Sequence, residues 1–168
     1  MSKVTFDKSI KLRYSGLRVY IRGRYVDVGD RYGWAKYRFR DYREARGFAI
    51  AVIIRKFIAD HNLDRDIEFL NKLQCISQHL DASEITRVIG ELVMLANEEA
   101  KRVGNQANSL VGIIFQKLSK FLDSRQNELL QSMQHSDTKA VCKFVRDLLD
   151  FLAGKGEWIE GFVDSVFH

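Results

Sequence analysis

The hydrophobic period of this chain changes once, near residue 40, and that change constrains the fold more than any other feature. Before it, apolar and polar residues alternate, as in a strand with one buried face. After it, apolar residues recur every three or four positions, as in an amphipathic helix. Strands gathered at one end and helices at the other define an α+β class. The expectation is therefore a predominantly helical α+β protein, with an N-terminal three-stranded antiparallel sheet packed on a bundle of about five to six helices. Residues 1–40 would form the sheet module and 41–168 the helical bundle, held as one body, because the chain has no proline and no Gly/Ser-rich stretch to act as a flexible tether.

Within the sheet module, Ser9–Tyr14 alternates, Ser15-Gly16 supplies a turn, and Leu17–Arg22 alternates again. Arg22-Gly23 then turns the chain into a third strand, Arg24–Val28, which Gly29-Asp30 ends. Dipeptides ending in glycine between alternating runs signal hairpins, since tight turns need residues that tolerate positive φ. Asp30–Trp34 reads as a loop, and Ala35–Arg40 as either an extended segment or an irregular lead into helix. Period two places Ile10, Leu12, Tyr14, Leu17, Val19, Ile21, Val26 and Val28 on one face. Lys11, Arg13, Arg18, Tyr20, Arg22, Tyr25 and Asp27 fall on the other.

Asp41 is placed to cap a first helix reaching Asp60, whose middle is apolar nearly all round and suits burial against the sheet. Further helices are expected over about 64–79, to about 103 from a cap at Asp81 or Ser83, over about 107–133, over about 138–153, and at the end from Trp158 to Phe167. Glu84 follows Asp81 at capping-box spacing. Trp158 and Phe162 in the last segment suit docking into the core, or a partner helix if left exposed.

Composition narrows the function classes. No apolar run approaches the roughly 18–20 residues of a membrane span, and the longest, Gly47–Ile54, is closed by Arg55 and Lys56. The first residues, MSKVTFDKSIK, lack the apolar core of a signal peptide. Cys75 and Cys142 each occupy an apolar position of a helical pattern and read as reduced, buried thiols, so a cytoplasmic location is expected. His61, His79, His135 and His168 lack paired-ligand spacing, no phosphate-loop or dinucleotide fingerprint occurs, and no cofactor is expected. No nucleophile–base pair can be drawn from spacing, so the chain reads as a non-enzyme.

Charge points more firmly. The net charge of +5 divides unevenly: residues 1–60 carry fifteen Lys and Arg against six Asp and Glu, a local +9, and the remainder is −4. Such asymmetry suggests a polyanionic partner for the basic segment. The candidate binding residues are Lys11, Arg13, Arg18, Tyr20, Arg22, Arg24, Tyr25, Arg31, Lys36, Arg38 and Arg40. Arginines contact phosphates or read base edges, and tyrosines stack or hydrogen-bond. A ribbon of two or three strands is also narrow enough to enter a major groove. The competing readings are a solvated sheet face and a surface for an acidic protein.

A strand meander with the turn Arg22-Gly23-Arg24-Tyr25, followed by a helix opening on FRDYREARGFA, resembles the small DNA-binding modules of plant ethylene-response factors and of phage-integrase arm domains. The likeness spans about residues 8–58 and implies sheet residues in a groove with a helix packed behind. Arg55 and His61 look like the arginine–histidine motif of a helical ribonuclease family. Such spacing is common by chance, and Arg55 as a helix-end charge with His61 as a C-terminal cap is the preferred reading. The combined expectation is a protein binding DNA or RNA, DNA before RNA, with the helical part available to fold, dimerise or recruit a protein partner, and no membrane association. The alternative is an inhibitor or immunity-type interaction module whose basic face covers an acidic partner.

Overall fold

A computed structural model describes residues 9–72, 82–104, 109–135 and 138–167. Among the described residues, four strands, β1 (Ile10–Tyr14), β2 (Leu17–Arg22), β3 (Tyr25–Asp30) and β4 (Gly33–Arg38), precede six helices. These are α1 (Tyr42–Asp60), α2 (Asp64–Lys72), α3 (Ala82–Gly104), α4 (Leu110–Gln134), α5 (Thr138–Leu152) and α6 (Glu157–Phe167). The class is α+β and mainly helical, as the change of period indicates.

The sheet has four strands in the order β1-β2-β3-β4, all antiparallel, and not three. The segment from Asp30 to Trp34 is mostly strand, with Arg31-Tyr32 as a two-residue turn. Two features make that turn. The Asp30 carboxylate accepts hydrogen bonds from the amides of Tyr32 (2.7 Å) and Gly33 (3.2 Å), and Gly33 adopts φ +147, which favours glycine. The Ser15-Gly16 turn forms as expected, with φ +50 and +80. The next turn falls one residue later than the sequence suggests, at Gly23-Arg24, because Arg22 still pairs with Tyr25.

The chain folds as two compact units, residues 1–60 with 151–168 and residues 61–150. In the first, Leu12, Val19, Ile21 and Val26 of the sheet are at most 1% exposed, and α1 packs on β2, β3 and α6. Asp41 caps α1 by accepting a hydrogen bond from the Glu44 amide at 2.8 Å. Nine residues of α1 are buried, from Ala45 to Ile58, and no residue between Ala45 and Ile54 is exposed. Ile159, Phe162, Val163 and Val166 of α6 are buried too, and Phe162 meets Phe151 edge-on at 5.2 Å. Trp158 is half-buried.

In the second unit α3 and α4 pack together. Ile85, Val88, Ile89, Leu92 and Ala96 of α3 are buried, as are Ile114, Phe115, Leu118 and Leu122 of α4. Ser109 caps α4 through the Gly112 amide. Asp81, the ends of the segments expected at 64–79 and 107–133, Cys75 and His79 lie at least partly outside the described residues; Cys142 is half-buried on α5.

Candidate nucleic-acid interface

Strand register assembles the outer face of the sheet row by row. Arg13 pairs with Arg18, Arg18 with Gly29, and Gly29 with Trp34. A second row runs Lys11, Tyr20, Asp27, Lys36, and a third runs Arg22, Tyr25, Arg38. Successive side chains alternate between faces, so these three rows share the side opposite the core residues Leu12, Val19, Ile21 and Val26. All six cations of the rows are exposed, whereas Tyr20, Tyr25 and Asp27 are half-buried among them. One carboxylate, Asp27, therefore stands against Lys11, Arg13, Arg18, Arg22, Lys36 and Arg38.

The three remaining expected residues lie off these rows. Arg24 sits in the β2–β3 turn, its guanidinium 5.6 Å from the centre of the Tyr25 ring. Arg31 sits in the β3–β4 turn, at the opposite end of β3, where it donates a 2.6 Å hydrogen bond to the Tyr32 hydroxyl. Arg40 follows the sheet and pairs with Glu44 at 3.1 Å, so its charge is countered at the start of α1.

Trp34 is the residue that sequence reasoning misses, because Asp30–Trp34 reads as a loop. It projects from β4 on the same side as the cations and is 50% exposed. Its indole carbons occupy the space that a Cβ at Gly29 would need, 2.5 to 2.6 Å from that position. The Arg18 guanidinium lies 4.7 Å from the indole centre, and the Tyr20 ring lies 5.2 Å away at a tilt of 48°. The signal that reveals it is the alternation Trp34, Lys36, Arg38 against Ala35, Tyr37, together with the Asp30–Gly33 turn.

Each aromatic of the face carries a cation. Lys11 lies 5.5 Å from the Tyr20 ring centre, and Lys36 joins Arg24 over Tyr25 at 5.0 Å. The Tyr25 hydroxyl is hydrogen-bonded by Arg24 and lies in the field of Arg24, Arg38 and Lys36, which together hold its pKa below the ordinary phenol value.

Arg55 and His61, the pair resembling a ribonuclease motif, are engaged differently. Arg55 is exposed near the end of α1. His61 Nε2 lies 3.4 Å from Glu99 Oε2, and the Arg102 guanidinium holds the other carboxylate oxygen. Glu99 is the one buried charged residue among those described, and the His61 imidazole and the Arg102 guanidinium supply the polar partners that burial demands.

No group of His, Cys, Asp or Glu among the described residues is arranged to hold a metal ion, and no described helix is long and apolar enough to cross a membrane. Comparison with protein-family models, curated proteins and solved structures finds no match to the chain.

Proposed function

We propose that this protein binds nucleic acid, DNA in preference to RNA, through the outer face of its sheet, while the helical part serves folding, dimerisation or recruitment of a protein partner. The observation that carries this reading is the register, which gathers six cations on one face against a single carboxylate. An ordinary solvated face intersperses charges of both signs. Here Arg13 and Arg18 are direct cross-strand partners, an arrangement that is unfavourable until an anion lies across it. Lys, Arg and Tyr side chains at strand spacing are the groups that bind phosphates and fix register on a nucleic acid.

Salt dependence tests the reading. For phosphate contacts, log affinity falls linearly with log salt, with a slope of about −0.9 for each phosphate neutralised on duplex DNA. Fluorescence-anisotropy titrations of a labelled oligonucleotide from low to moderate salt are expected to give a slope steeper than about −3, and Arg13→Ala/Arg18→Ala/Arg22→Ala to flatten it. Absence of binding to any DNA or RNA at low salt would overturn the proposal and leave the acidic-protein partner as the better use of this face.

A further inference from the structure

We infer that Trp34, Tyr20 and Tyr25 act as platforms for the cations of the face, and that the ligand is therefore a DNA duplex and not a single strand. The inference rests on the nucleic-acid reading above and deepens it. Single-stranded ligands are held by a basic groove along the backbone together with bases stacked on free faces of aromatic rings. On this face every ring already has a cation against it: Lys11 on Tyr20, Arg24 and Lys36 on Tyr25, and Arg18 on Trp34. Trp34 also lies against the Gly29 backbone and beside Tyr20, with half of its surface left exposed. A base stacking there would compete with a cation that an aromatic ring attracts.

The same contacts order side chains that are otherwise flexible. Arg18 lies against the indole, and a planar guanidinium held on a ring loses less freedom when it meets a phosphate or a base edge. Trp34 is thus a positioning residue acting through Arg18. Gly29 makes this possible, since any side chain there would drive the indole off the sheet. A row of cations, several of them held against rings, suits the regular phosphates and open major groove of B-form DNA. The major groove of A-form RNA is too narrow for side chains to read.

The test compares a mixed-sequence DNA duplex, either of its strands alone, oligo-dT and an RNA duplex by anisotropy at one low salt concentration. The DNA duplex is expected to bind at least tenfold more tightly than the others. Trp34→Leu should weaken duplex binding roughly tenfold, the scale of one well-placed arginine contact, while Trp34→Phe, which keeps a ring under Arg18, restores most of it. In an Arg18→Ala background, Trp34→Leu should have no further effect, whereas a merely structural role would weaken binding in both backgrounds. If Trp34→Leu does not fold, Arg18→Lys, which keeps the charge but loses the planar group, should lower duplex affinity in its place. A single strand binding as tightly as the DNA duplex overturns the inference and leaves the broader reading standing; an RNA duplex binding as tightly overturns the inference and, with it, the preference for DNA over RNA. Loss of all nucleic-acid binding overturns both.

Discussion

Arg13 and Arg18 oppose each other across β1 and β2, in a row that contains no carboxylate. Like charges directly opposite in a sheet are destabilising, so this pair costs the folded state something that a polyanion would offset. Arg13→Thr should therefore raise the urea midpoint, by the equivalent of about 0.5 kcal/mol, while weakening DNA binding. A variant that lost both stability and binding would mean the arginine packs against its neighbours instead. Tyr25 gives a second test at this scale. Its pKa lies below the usual phenol value because Arg24, Arg38 and Lys36 favour the phenolate. A group with a depressed folded-state pKa adds stability above its unfolded value and loses it as pH falls through the folded one, so this contribution exists only in the alkaline range. Absorbance titration at phenolate wavelengths should show an early tyrosine transition that Tyr25→Phe removes. Bound DNA, by countering the cations, should move it to higher pH.

Among the elements, α1 is legible in the sequence because its apolar residues run nearly all round the helix, which fits only a buried position, and Asp41 marks its start. The strand β4 is legible only in part, through the extended alternative for Ala35–Arg40, and the reason is physical. It is an edge strand whose six residues are all exposed, and its inward side chains are only Ala35 and Tyr37, so no large aliphatic residues mark period two, and Trp34 goes unnoticed with it. The fold of the connection before α6 is equally hidden, because it depends on a close approach. Gly154 adopts φ +82, and a Cβ there would lie 2.6 Å from the Ala51 Cβ and 3.2 Å from the Gly47 carbonyl oxygen. The small residues of α1 thus admit the turn that leads α6 back to the helix. Gly154→Ala adds left-handed strain to a steric clash and should cost about 2–4 kcal/mol, read as a lowered urea midpoint. Gly23→Ala, whose Cβ meets nothing within 4 Å, should cost only the conformational strain.

For the whole molecule, the charge asymmetry along the sequence survives regrouping by compact unit. Residues 1–60 with 151–168 hold sixteen Lys and Arg against nine Asp and Glu, or +7; residues 61–150 hold eleven against thirteen, or −2. The basic side of the sheet is visible in the sequence, since strand alternation by itself assigns residues to faces. That α6 joins the sheet's unit, and that Arg40 is paired with Glu44, are not visible there, because both depend on residues meeting in three dimensions. If binding is a property of the face and not of overall charge, counterion release should be local. Removing three cations from the second unit with Lys120→Gln/Lys139→Gln/Lys143→Gln changes the net charge as much as Arg13→Ala/Arg18→Ala/Arg22→Ala does. The lysine variant should leave the salt slope unchanged within about 0.5, whereas the arginine variant should reduce it by up to about 2.7, or about 0.9 for each phosphate that is no longer neutralised. Equal flattening by both variants would mean that the nucleic acid senses only net charge, and the face would then have no special standing.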